Sequence, residues 1–168
     1  MSFKTSIKQG DILTNKILSE KFLCGNMGGM RRSHKTKSLV IVSDHTKGLY
    51  DDKWYGDEFH YTGMGKVGEQ SVTFSQNRTL NESKSNNVAI HLFEVYEKGN
   101  YVYQGEVELV NTAYQEYQPD DNENVRRVWM FPLKLKNGSP LRFKVELVED
   151  VFKKKTKIVK KISKNNIK

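Results

Sequence analysis

The chain has 168 residues, 36% hydrophobic and 29% charged, with a formal net charge of +8 and one cysteine. That composition is globular rather than disordered, and no run approaches the ~20 apolar residues of a membrane span. Cys24 alone permits neither an internal disulfide nor a multi-cysteine zinc site, and it reads as a small core hydrophobe.

The N-terminus lacks the apolar core of a signal peptide, so a cytoplasmic protein is expected. The excess charge is local. Residues 151–168 hold eight lysines and no acid, which leaves 20 basic against 20 acidic residues in the first 150. Residues 1–47 carry nine Lys/Arg and three acids, so the basic surface belongs to the N-terminal third and the tail. One domain over 1–150 is expected, with 151–168 as a lysine-rich tail or linker.

Thr14 or Asn15 is a fair N-cap, and Leu13/Ile17 and Leu18/Phe22 recur at i, i+4, so a short amphipathic helix should run to about Phe22 with its apolar stripe on a sheet. Gly25-Asn-Met-Gly-Gly-Met30 breaks it. Arg31-Arg-Ser-His-Lys-Thr-Lys37 then offers Arg31, Arg32, Ser33, His34, Lys35 and Lys37 as a phosphate clamp, or as a solvated basic loop. Ser38-Leu-Val-Ile-Val-Ser43 is a β-branched run short enough for a buried strand, and it leads through Asp44-His-Thr-Lys47.

The stretch around which the chain is arranged follows: Gly48-Leu-Tyr-Asp-Asp-Lys-Trp-Tyr-Gly-Asp-Glu-Phe-His-Tyr-Thr-Gly-Met-Gly65. It holds five aromatic rings, two adjacent carboxylate pairs and four glycines. Flat π-faces beside a carboxylate, on a backbone that bends at glycine, suit a slot for a nucleobase; a Gly-rich hairpin covering a small barrel is the plainer reading. Phe59 to Gly63 should form its closing strand.

Gln70 to Ser83 is a mostly polar segment. Gln76 and Asn77 are able to bond base edges and Arg78 a phosphate. Val88–Tyr96 and Tyr101–Val110 form a hairpin across Glu97-Lys-Gly-Asn100. Residues 119–124 form a surface loop, and Arg127–Leu135 a strand that Pro132 should confine to an edge or a bulge. Leu141, Phe143, Val145 and Leu147 alternate as a last strand. Val151, Phe152, Ile158, Val159 and Ile162 suggest a basic amphipathic helix in the tail. The fold class expected is α+β, a small, strongly bent β-barrel with one or two flanking helices.

Gly28-Gly-Met-Arg-Arg-Ser33, Ser43-Asp-His-Thr-Lys-Gly-Leu-Tyr-Asp-Asp52, His60-Tyr-Thr-Gly-Met-Gly65, Gln76-Asn-Arg-Thr-Leu80 and Trp129-Met-Phe-Pro-Leu133 together resemble the SRA (YDG) domains that recognise modified cytosine in DNA. The chain is most similar to the SRA-like domain of modification-dependent HNH endonucleases of the McrA type. The resemblance implies a PUA-like barrel that flips a modified base, 5-methyl- or 5-hydroxymethylcytosine, out of the duplex. Tyr50 and Tyr61 would be the stacking rings, Thr62 and Gly63 the turn at the base edge, and Asp52 the carboxylate that accepts from the exocyclic amine. The spacing between Tyr50 and the turn departs slightly from the SRA pattern, so Asp51 stays an alternative. Trp54 and Tyr55 stand where SRA domains differ and would shape the pocket. Either Met64 to Gln70 or the Arg31-Arg32 loop would fill the gap left in the duplex. His45, Lys47, Met64, Lys66, Gln76, Asn77 and Arg78 complete the expected DNA-facing set.

The resemblance implies recognition rather than catalysis, with no cofactor or metal, and a nuclease domain, HNH or other, in the same or a partner chain. A PUA-like reader of N6-methyladenine or of RNA is the alternative. A nuclease centre in the chain itself would have to draw on His34, His45, His60, His91, Asp44, Asp51 and Asp52, but no HNH, His-Glu-x-x-His or P-loop pattern organises them.

Overall fold

The computed structural model describes residues 4–47, 50–149 and 155–163, with 144–149 and 155–163 given by their backbone alone. In chain order the elements are β1 (Ile12–Leu13), α1 (Asn15–Phe22), β2 (Met30–Ser33), β3 (Ser38–Asp44), β4 (Lys53–Tyr55), β5 (Glu58–Thr62) and α2 (Gln76–Asn81). There follow β6 (Ala89–Glu97), β7 (Asn100–Leu109), β8 (Tyr114–Pro119), β9 (Val125–Leu135), β10 (Arg142–Glu149) and β11 (Lys155–Ser163). Nine strands form one sheet along the path β2-β3-β6-β7-β9-β5-β4, with β1 beside β7 and β8 beside β9. The β3–β6 pair is parallel and the others antiparallel, which makes the sheet mixed.

The local reasons are those of the sequence. Thr14 caps α1 by accepting from Ile17 N, and Leu18 and Phe22 are fully buried while Ile17 stays outside. β3 is apolar along its length because both its faces are covered. Leu39 and Ile41 enter one core cluster with Phe59, Tyr61, Leu92 and Phe131, and Val40 and Val42 enter the other with Leu18, Phe22 and Phe93.

The first cluster draws on β2, β3, β5, β6, β7 and β9 at once. From β3 to β5 a flat sheet would extend four strand spacings, about 19 Å. Instead the Tyr61 hydroxyl of β5 lies 3.1 Å from the Val42 carbonyl of β3. The sheet therefore curls back on itself around this core. In place of the closed barrel expected, the backbone ladder ends at β2 and β4, and side chains bridge the opening between them.

Three other expectations change. Pro132 sits in an interior strand, flanked by β5, β7 and β8. Its carbonyl accepts from Val110 N, so its donor-less nitrogen lies on the side where β7 stops at Leu109. The basic run after Met30 is a strand, β2, and then a turn. The tail helix is replaced over 155–163 by β11, which pairs antiparallel with β10 as a separate two-stranded sheet, with Val159 opposite Val145. Val151 and Phe152, part of the same expectation, lie outside the described residues.

Candidate nucleic-acid interface

The opening between the two ends of the curled sheet is bridged by Asp52. Its Oδ1 accepts from Thr62 N on β5 at 2.7 Å, and its Oδ2 accepts from Ser43 Oγ on β3 at 2.6 Å. Each oxygen keeps a lone pair for another donor. Asp52 retains some open surface, but the protein around it desolvates the carboxyl and raises its pKa above the ordinary 3.8, against the lowering effect of the Ser43 and Thr62 bonds. Asp51 differs. It is exposed and pairs with Lys53 at 3.0 Å. Between the two carboxylates, Asp52 is the one built into the site.

The turn after Thr62 is held by two amides. Gln70 Nε2 donates to Gly63 O at 2.6 Å while its Oε1 accepts from Trp129 N at 2.9 Å. Asn77, fully buried, accepts from Met64 N at 2.7 Å and donates to Met64 O and Ser71 O, each at 3.0 Å. A Cβ at Gly63 would stand 2.8 Å from Asn77 Oδ1, which is why only glycine fits there. Gln118 of β8 completes the frame: its Oε1 accepts from Asp51 N at 3.3 Å and its Nε2 reaches Thr62 Oγ1 at 3.4 Å.

Of the two expected stacking rings, Tyr50 is half-buried and donates to Gly65 O at 3.2 Å. Tyr61 is 3% exposed, with its hydroxyl shared between Gly29 O and Val42 O at 2.9 and 3.1 Å. Gly29 must lack a side chain because that hydroxyl would meet its Cβ at 2.9 Å. Burial raises the phenol pKa of both tyrosines. Trp54 packs on Phe59 and donates its indole N–H to Glu94 at 3.2 Å.

Glu94 is the hub of a buried network. Its Oε1 also accepts from Tyr96 Oη at 2.9 Å and lies 3.0 Å from His45 Nε2, while Oε2 accepts from Gln104 Nε2 at 2.7 Å. A bulge places Gln104 there: Leu92 pairs with Gly105 and Phe93 with Tyr103, leaving Gln104 as the extra residue. His45 stacks on Tyr96 and lies 3.4 Å from Ser43 Oγ, so the network reaches Asp52 through Ser43.

The cationic candidates divide. Arg31 is buried, donating to Gly28 O at 2.8 Å and to Asn15 Oδ1 at 2.5 Å, over the Tyr101 ring. Arg32 donates to Ser33 O and Ser38 O, and Ser33 is fully buried with its Oγ on Thr36 N. His34, Lys35, Lys37, Lys47 and Lys66 are exposed, as is Arg78, which pairs with Glu82 at 3.2 Å. Gln76 accepts from Thr79 Oγ1. Arg31, Ser33 and Asn77 thus serve the scaffold in this structure, whereas the lysines face outward.

The loop between Met64 and Gln70 is strapped to the β8–β9 hairpin. Gly68 N donates to Asp120, and Arg127 forms an ion pair with Glu69 that lowers the Glu69 pKa to about 2. Val67 at its tip is 61% exposed. A cavity of about 220 Å³, lined by Tyr96, Val102, Leu141 and Phe143 among others, meets the Glu94 network at Tyr96. Ser43, Gln70 and Gln118 are the site residues that sequence reading missed as such. Single polar side chains in or beside strands carry no pattern that separates them from surface.

Comparison with known proteins bears on this geometry. The family model described as "ScoMcrA-like, SRA domain" matches residues 9–154. Among solved structures, the sulfur-binding and SRA domains of ScoMcrA complexed with phosphorothioated DNA superpose with a TM-score of 0.63 at 18% identity, over 80% of this chain and 40% of that one. The SRA domain of SUVH5 in complex with fully methylated CG DNA gives 0.60 at 21% identity, over 83% and 96%. The modification-dependent restriction endonuclease TagI gives 0.55 at 20%, over 79% and 51%. The chain spans only 24% of the restriction endonuclease ScoMcrA as a whole. A comparison with curated proteins returns no match.

Proposed function

The chain belongs to the family of ScoMcrA-like SRA domains, and from that footing we propose that it is a DNA-reading module which takes a modified cytosine, flipped from the duplex, against Tyr50 and Asp52. The observation that carries the reading is the Asp52 carboxylate, fixed by Ser43 and Thr62 beside a half-buried tyrosine. An ionised carboxylate accepts from the exocyclic amine of cytosine and repels the carbonyl that thymine or uracil carries there. Flipping costs a few kcal/mol of stacking and pairing, and stacking on aromatic rings returns about 1–3 kcal/mol per base. A methyl group adds roughly 1 kcal/mol of apolar contact.

In this reading Tyr50 offers the open ring and Tyr61 forms the wall behind it. Residues 1–150 are the reading domain. Lys35, Lys37, Lys47, Lys66 and the lysines of 151–168 hold phosphate, and the exposed tip at Val67 enters the gap in the duplex. Neighbours of the same fold fit a module of this kind: the SUVH5 SRA domain is in complex with methylated DNA, and ScoMcrA and TagI are modification-linked restriction endonucleases. A nuclease domain in the same or a partner chain would complete such a system.

The test is duplex binding by Asp52→Ala beside the unsubstituted protein. Loss of the preference for modified cytosine, with binding to plain DNA unchanged, is expected. A variant that keeps the full preference would remove Asp52 from the reading.

A further inference from the structure

Opposite Gln118, across the β8–β9 ladder, stands Arg126, which is 4% exposed. Its Nη1 donates to Gly68 O at 2.7 Å. Its Nε and Nη2 are buried and have no hydrogen-bond partner among the described residues. A guanidinium does not shed its charge inside a protein. Two charged donors left unmade are therefore costly, and native folds rarely leave such groups without a use.

The atoms left open matter. Nε and Nη2 form the side-on edge of the fork, the one that engages two adjacent acceptors with parallel bonds. The surroundings place the guanidinium near the Asp52 site. Gln118, its cross-strand neighbour, reaches Asp51 N and Thr62 Oγ1. Gly68 belongs to the loop that begins at the Gly63 turn. The guanidinium also approaches the Tyr50 hydroxyl closely enough that its charge and a hydrogen-bonding approach pull the phenol pKa down against the effect of burial, although Nε and Nη2 fall short of full hydrogen-bond geometry. Asp120 is the other charge beside it.

We infer that the Nε–Nη2 edge of Arg126 is a specificity contact, donating to the adjacent N3 and O2 acceptors of the base held against Tyr50. This rests on the base-pocket reading above and extends it. Asp52 as acceptor and Arg126 as double donor together present the hydrogen-bond pattern of a guanine edge, which cytosine complements along its whole Watson–Crick side. Thymine and uracil present an N3–H to the same fork and are refused twice. A backbone phosphate is the competing acceptor pair, and the experiment below separates the two.

The experiment combines a ligand change with a side-chain change. Duplexes carry plain cytosine, 5-methylcytosine or 3-deaza-5-methylcytosine, in which a C–H replaces N3, at one site. The unsubstituted protein should bind the deaza duplex about tenfold more weakly than the 5-methylcytosine duplex. Arg126→Lys, which keeps the charge and a donor for Gly68, should lose a similar factor on 5-methylcytosine and no longer separate the two. Equal binding of the two modified duplexes by the unsubstituted protein, with both above plain DNA, overturns the inference and leaves the pocket standing. Weakening by Arg126→Lys that is uniform across all duplexes marks a contact that reads no base and overturns it too. No preference for modified over plain DNA removes the pocket reading and this inference together.

Discussion

Ser43 at the end of β3 donates to Asp52 at 2.6 Å, and this contact spans an opening that the backbone ladder leaves unclosed. The carboxylate thereby ties together two parts of the fold. Asp52→Asn keeps the shape and exchanges one acceptor for a donor. Preference for modified cytosine over thymine at the same site should fall by tenfold or more, since a hydrogen bond to a charged group contributes about 1.5–3 kcal/mol. Competition binding measures it.

The raised pKa of Asp52 has two consequences of definite sign. In the range from 3.8 upward to its folded value, the folded state holds more protons than the unfolded one, so this group's contribution to stability declines as pH rises. Asp52→Asn should be no less stable than the unsubstituted protein at neutral pH. Binding runs the other way. Preference for cytosine should decline as pH falls, beginning above the usual carboxylate range, and the decline should be absent in Asp52→Asn. Urea unfolding and binding titrations across pH check both.

Gln70 and Asn77 both clamp the turn. Either alanine substitution leaves buried backbone groups unpaired and should cost about 1–3 kcal/mol of stability. Gly63→Ala should disturb the same turn from within, because the new methyl meets Asn77 and Gln70. All three should weaken binding to modified DNA more than binding to plain DNA. Urea unfolding combined with the two titrations separates the effects.

His91 lies in the core, 3% exposed, with Nδ1 2.8 Å from the Tyr103 hydroxyl. Burial lowers its pKa from 6.5 to about 4. Between these values the unfolded chain binds the extra proton, so stability is lost as pH falls from 6.5 toward 4, by about 3 kcal/mol over the window. A variant with phenylalanine at His91 should flatten that limb of the stability profile.

Much of this was legible in the sequence because it rests on local pattern. The apolar run of β3 and the β6–β7 hairpin follow from periodicity and turn residues, and the cap of α1 is one of the two candidates, Thr14 rather than Asn15. The tail was not. Val159 and Ile162 are compatible with either period, and pairing with β10, a contact outside the local sequence, selected the strand. β1 and β8 are recruited by β7 and β9 and have little pattern of their own. At the site, Asp52 could be picked out only as one of two neighbours. What separates it from Asp51 is the approach of Ser43 and Thr62, and three-dimensional contact alone supplies that. Arg31 illustrates the converse: its charge suggested phosphate, and Gly28 and Asn15 take it up instead.

The central claim is tested most directly by titrating one short duplex, at fixed salt, with cytosine, 5-methylcytosine or 5-hydroxymethylcytosine at a single site. Tighter binding to a modified duplex, lost in Asp52→Ala, is the predicted result. Equal binding to all three that collapses as salt rises would contradict the account, for it would mean that the lysines hold phosphate and no base is read.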